Sequence, residues 1–237
     1  MKPYVYQSVY EHEVAAVFAV AYDGLIHAVG VGNSGVICRH WVMEKSDFGL
    51  IKDIPKPMMS VWKEPVTLVP AQFIGVKPPN AEFDSMVTLN DEAFLCYKGK
   101  NRQHLFQSYL HKAQMVAAKY PCLVFFWCLN DCVYLSVFDG GKLLFANVFE
   151  VNKKEEIVYF VLAVARDSGF DSKPFTLLGD ADDSHMNELH ADFEKLSVEL
   201  IHLNREPLYS GCNDAPDAHV ANLLSFLGGC EFPRDYN

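Results

Sequence analysis

The densest run of metal-type ligands is Asp180-Ala181-Asp182-Asp183-Ser184-His185, with His190 following on. Carboxylates and imidazoles together suit a divalent cation. The spacing argues against one. His185 and His190 are five residues apart, whereas side chains three or four apart share a helix face. The same acids suit a helix N-cap, where a short polar side chain accepts from the unpaired amides of the first turn. No metal site is expected. Cys128 and Cys132 come next. They flank Asn130-Asp131 with no histidine near in sequence, so His27 or His40 would have to be brought to them by the fold. Cysteines in apolar strand-like segments are ordinarily buried, inert thiols. No Gly-x-Ser-x-Gly elbow, Walker loop or Gly-x-Gly-x-x-Gly turn occurs. No catalytic residue is assigned.

The elements that would position these groups can be read from apolar periodicity and turn residues. Residues 13–22, 25–31 and 36–43 read as three strands of an antiparallel meander, broken at Asp23-Gly24 and within Gly32–Gly35. Residues 44–65 carry Pro55, Pro57, Pro65 and scattered charges, and predict a loop or short helical pieces. Short strands are expected at 66–69 and 92–97. Leu105, Tyr109, Ala113, Val116 and Tyr120 recur at helical steps over 104–120, and Pro121 stops that helix.

The second half opens on the apolar strand Cys122–Leu129, a turn at Asn130-Asp131, and two strands folded back at Asp139-Gly140-Gly141. Asp-Gly between β-rich runs is a strong hairpin signal, because the tight turn needs positive φ. Helices over 153–168 and from Met186 to Leu196, strands at 173–179 and 198–203, and a last helix at 218–227 complete the chain. The order β–β–β–α–β–α–β–α is ribonuclease-H-like. Three antiparallel strands are followed by crossovers that add parallel ones. The expected architecture is α/β, with two lobes, 1–120 (irregular over 44–103) and 121–237, each opening on a three-stranded antiparallel meander. Two such lobes in tandem make the actin-like ATPase architecture.

The totals restrict the function classes. With 237 residues, 50% hydrophobic and 13% aromatic, the chain can bury a sizeable core. A net charge of −10, and a densest basic run of only Lys98-Gly99-Lys100-Asn101-Arg102, disfavour nucleic acid. Apolar runs fall short of a membrane span and the polar N-terminus lacks a secretory pattern. Seven cysteines without a Cys-x-x-Cys pair fit free thiols in a reducing compartment. The expectation is a soluble cytoplasmic protein, not an integral membrane protein.

The stretches VTLVPAQF (66–73), SVFDGGKLLFANVF (136–149), EEIVYFVLAVA (155–165), FTLLGD (175–180) and HVANLLSFLGGCEF (219–232) resemble an uncharacterised bacterial family, a domain of unknown function assigned the actin-like ATPase fold. The resemblance implies where a nucleotide would sit. In actin-like ATPases an acidic, Gly-containing hairpin from each lobe holds phosphates and a hydrated Mg²⁺. The matching residues are Asp23 and Gly24 in one half and Asp139, Gly140 and Gly141 in the other, with Gly179 beside the base. Here both turns are short and run straight into apolar strand, Gly179 is single, and Lys142 is the one cation beside either turn. The implied reading is a non-catalytic binding or scaffold component with a degenerate nucleotide cleft and an unidentified protein partner. The alternative is an ATPase or kinase-like enzyme taking ATP with Mg²⁺.

Overall fold

A computed structural model describes residues 4–7, 14, 16–22, 24–32, 37–44, 46, 58–61, 66–70, 85–89, 93–97, 103–203 and 218–228. Asp23, the Asn33–Gly35 turn and residues 47–57 of the expected loop lie outside the described residues. The chain falls into two compact units, Met1–Ser108 with Leu223–Asn237, and Tyr109–Asn222. The sequence suggested a divide at 120/121. The compact units part within two helices, α1 (Leu105–Ala117) and α4 (Ala218–Gly228). Proline and glycine punctuation marks where an element ends, not which unit each of its turns packs against.

In chain order, the first unit contains β1 (Tyr4–Gln7), β2 (Ala16–Tyr22), β3 (Leu25–Val31), β4 (Ile37–Met43), β5 (Met58–Val61), β6 (Val66–Pro70), β7 (Ser85–Leu89), β8 (Ala93–Tyr97) and β9 (Gln103–His104). One sheet runs β1-β4-β3-β2-β5-β9 and a second β6-β8-β7. The meander β2–β3–β4 is antiparallel, and β5 then pairs parallel to β2. The expected loop over 44–65 is thus corrected at Met58–Val61, which is strand. Its partner Phe18 is remote in sequence, so no local pattern announces the pairing.

The second unit contains β10 (Cys122–Leu129), β11 (Cys132–Asp139), β12 (Lys142–Glu150), α2 (Lys154–Asp167), β13 (Thr176–Asp180), α3 (Asp183–Lys195) and β14 (Leu200–His202). Its sheet runs β12-β11-β10-β13-β14, with the first three strands antiparallel and β13 and β14 parallel to β10. Numbered from β10, the second unit has the strand order 3-2-1-4-5; in the first unit the run β4-β3-β2-β5-β9 follows the same pattern, with β1 added outside β4 and β6, β7 and β8 in a sheet of their own. This is the ribonuclease-H-like order expected from sequence.

The central strands β10 and β11 are buried on both faces. Val124, Phe126, Val133, Leu135 and Val137 pack with Ile157, Val161 and Val164 of α2 and Met186, Leu189 and Phe193 of α3. On the other face Tyr109 of α1 stacks on Phe125 at 5.2 Å between ring centroids. Its hydroxyl lies 2.6 Å from the Phe125 carbonyl and 2.8 Å from Ser136 Oγ. A buried hydroxyl is tolerated only when hydrogen-bonded, and this one is. Among the described residues no helix is long and apolar enough to cross a membrane.

Candidate functional site

Asp139 and Asp180 end strands of one sheet, at opposite edges. Asp139 closes β11 opposite Cys122, the first residue of β10. Asp180 closes β13 beside Trp127, near the end of β10. Chain direction makes the second edge the more interesting. It is the carboxyl end of the parallel strands, where the connection leaving β10 runs to β11 on one side and that leaving β13 runs to β14 on the other. Open α/β sheets bind ligands at such a switch point.

The Asp139 edge is a closed hairpin. Gly140 and Gly141 adopt φ of 56° and 79°, the paired positive values of a type I′ turn. Gly140 N–H donates to the Pro121 carbonyl at 2.7 Å, and Gln114 Nε2 donates to the Gly141 carbonyl at 2.7 Å. Lys173 Nζ donates to Asp139 Oδ2 at 2.7 Å, and Cys122 Sγ lies 3.4 Å from Oδ1. These two hydrogen bonds, Lys173 first, hold the Asp139 carboxyl below the usual carboxylate range. Lys173 was not singled out in the sequence. It lies 34 residues from Asp139, and no spacing rule joins them.

Within their own units, the residues that the resemblance groups together hold unlike places in the strand order. Gly24 (φ 74°) stands in the turn between β2 and β3, the first and second meander strands of its unit. By strand order its counterpart is the Asn130-Asp131 turn between β10 and β11. Asp139-Gly140-Gly141 instead joins the second and third strands. Gly179 lies within β13, toward the opposite edge from Asp139. It is there for packing: a Cβ on Gly179 would sit 2.2 Å from Phe126 Cζ.

The Asp180 edge carries a buried polar network. Asp180 is fully buried. Its Oδ2 lies 2.9 Å from His219 Nδ1, and its Oδ1 accepts from Asn222 Nδ2 at 3.1 Å and lies 3.3 Å from His202 Nε2. His219 and Asn222 come from the first turn of α4 and His202 from the end of β14. Burial pushes the Asp180 carboxyl upward, but hydrogen bonds from His202 and His219, the charge interaction with His219 and the bond from Asn222 outweigh it and hold the group below its usual range. His202 is drawn above its usual value by its bond to Asp180, against a smaller opposing effect of burial. An isolated buried carboxylate would cost several kcal/mol, so these partners explain how Asp180 remains ionised.

The network can hold and exchange a proton, but among the described residues no activated nucleophile accompanies it. Cys128 is the thiol that feels Asp180. Burial first, and then the charges of Asp180 and Asp182, raise it far above the ordinary thiol range. Cys128 is half-buried and Cys132 buried. His27 and His40 stack on each other in the first unit, at 6.1 Å between centroids.

The acidic run divides. Asp180 turns inward, while Asp182 caps α3, accepting from His185 N–H at 3.1 Å and Ser184 Oγ at 2.6 Å and contacting the His185 ring. Among the described residues no group of three or more His, Cys, Asp or Glu could hold a metal ion. His202, His219 and Asn222 escaped sequence reading because they stand 22, 39 and 42 residues from Asp180. The available signal was a carboxylate ending the apolar strand TLLGD.

Comparison with known proteins agrees with the strand order. Residues 100–198 match the model of a family described as "Protein of unknown function (DUF3822)". No curated protein matches the chain. Among solved structures, a Bacteroides thetaiotaomicron VPI-5482 protein with an actin-like ATPase fold and unknown function superposes with a TM-score of 0.62 at 13% identity. The match covers 88% of this chain and 95% of that one. The chain has the actin-like ATPase fold. A chain of the PilM–PilN type IV pilus biogenesis complex is also similar, with a TM-score of 0.53 at 11% identity over 92% of this chain and 99% of that one. At these identities the likeness is one of fold. The actin-like fold accounts for the strand order 3-2-1-4-5 in the second unit and for the same run within the first, and says nothing about catalysis.

Proposed function

We propose that this actin-like protein acts by binding a protein partner and has lost nucleotide turnover. The closed Asp139 hairpin carries this reading. A phosphate-holding turn presents free backbone amides, and anions are bound through them. Here Gly140 N–H is bonded to Pro121, and the Asp139 carboxylate is bonded to Lys173 and Cys122. These residues do not fit a phosphate-and-Mg²⁺ loop. The similar PilM–PilN chain is found with a protein partner, which supports the same class of role by analogy of fold. Cys128 and Cys132, neither of them in a disulfide, support a cytoplasmic location.

Thermal unfolding with millimolar MgATP tests the reading. A nucleotide at about 100 times its Kd adds about 2.7 kcal/mol to the native state. In a chain of this size that raises Tm by roughly 5–10 °C. The expected result is no shift. A rise of that size would overturn the proposal in favour of the ATPase or kinase-like alternative. Photo-crosslinking in cells tests the other half: a discrete adduct with one other protein is expected, and a chain recovered only as monomer counts against it.

A further inference from the structure

We propose that Asp180, His202, His219 and Asn222 form a proton-controlled latch, which fixes the first turn of α4 against the carboxyl edge of β13 and β14 while His202 is protonated and loosens when that proton leaves. The geometry converges from three elements onto one carboxylate. Asp180 has no exposure, and both of its oxygens are engaged. Asn222 Oδ1 is buried without a hydrogen-bond partner, so that side chain is held by its bond to Asp180.

Access to solvent differs among the partners. The His219 side chain is 3% exposed and that of His202 is 32% exposed. Asn222 is neutral at any pH. His202 is therefore the partner that exchanges its proton readily with bulk water. When it becomes neutral, the buried carboxylate loses a countercharge. A buried ion that loses one of its charged partners is destabilised, even with His219 and Asn222 still bonded to it. Opening the first turn of α4 would let water reach Asp180 and relieve that cost.

The other groups around the cluster reinforce the direction. From β10, the Cys128 thiol is held far above its usual range and stays neutral. Asp182, which follows β13, and Asp183 of α3 bring negative charge; Asp183 adds to the pull on the His202 proton. Trp127 of β10 packs against His219 at 6.2 Å between ring centroids and brings no charge. His202 is raised above its ordinary value of 6.5, so its contribution is complete below 6.5 and is lost as pH rises through the folded-state value. Asp180 is held below its ordinary 3.8, so its contribution persists above 3.8 and fails only in stronger acid. The latch is thus closed in mild acid and weakens on the alkaline side.

Amide hydrogen exchange of the full chain, followed from about pH 5.5 to about pH 8.5 and normalised to intrinsic exchange rates, tests the latch. Protection of the 222–225 amides, which donate to the carbonyls of the first turn, is expected to fall about tenfold for every tenfold by which folding tightens the hold of His202 on its proton. His202→Gln keeps a donor without the charge and should give the weak, high-pH level of protection at every pH. His190→Gln, exposed on α3, should keep the wild-type profile. A flat wild-type profile, or a pH step that survives in His202→Gln, overturns the proposal. NMR titration of His202 in the wild-type chain decides it even if the variant does not fold: a midpoint at or below 6.5 sinks it.

Discussion

Asp139 and Asp180 are both aspartates at the ends of strands in one sheet, and the difference between them is burial. Asp139 meets Lys173 in water-accessible surroundings, where its side chain is 43% exposed. Such a pair gains little over its hydrated state. Asp180 is fully buried and depends on His202, His219 and Asn222 for its charge. The residue that resembles a nucleotide ligand in sequence is held loosely at a hairpin. The residue that resembles a cap is the most tightly partnered carboxylate among the described residues of its unit. Local sequence context ranks the two in reverse.

The largest effect that can break this comparison is Asp180→Ala. Removing one partner of a buried ionic network costs about 3–5 kcal/mol, because His219 and Asn222 stay buried without the acceptor they donate to. Urea unfolding should show a midpoint lowered accordingly. A loss as small as that of a surface substitution would mean that water already reaches Asp180.

Gly179→Ala comes next, at roughly 1–3 kcal/mol, from forcing a methyl into the Phe126 ring. The cause is separable from glycine flexibility. Phe126→Leu should recover part of the loss in a double-mutant cycle, whereas a simple backbone effect would add independently. Gly140→Ala provides the contrast. Nothing lies within 4 Å of its added Cβ, so its cost, about 1–2 kcal/mol, comes from φ of 56° and should not respond to changes at Phe126.

Tyr109→Phe should cost about 1–2 kcal/mol, the worth of the hydroxyl's bonds to the Phe125 carbonyl and Ser136. Tyr109→Phe with Ser136→Ala should cost less than the sum, since they share one bond. The smallest effect belongs to Asp139→Asn. Its urea midpoint should match the wild type within error, and low salt should not reveal a deficit. A clear loss there would make the two aspartates equivalent and remove the contrast.

Much of the fold was legible because its signals are local. Alternation named β11 and β12; apolar runs between turn residues named β2, β3 and β10; helical spacing named α1, α2 and α3; the stretch Asp180–Ser184 announced the cap of α3, which Asp182 supplies. Strand β5 was not legible, since its identity rests on pairing with Phe18. The hairpin at Asp139-Gly140-Gly141 was read correctly as a turn, yet its equivalence to Asp23-Gly24 fails. Composition alone does not say which pair of meander strands a turn connects. Gly179 stood out as a lone glycine, but its reason, the Phe126 ring on the neighbouring strand, appears only across the sheet.

The sequence by itself determined the element order, and with it the ribonuclease-H-like strand order in the second half, because turn residues and apolar periods act within a few positions. Tertiary structure alone decided the site. It placed Asp180 at the carboxyl edge of the parallel strands and Asp139 at the other, and brought His202, His219 and Asn222 from far along the chain to one buried carboxylate. The reason is dielectric. A charge keeps its ionised form in the interior only if the fold supplies partners, and no run of neighbouring residues records where those partners come from.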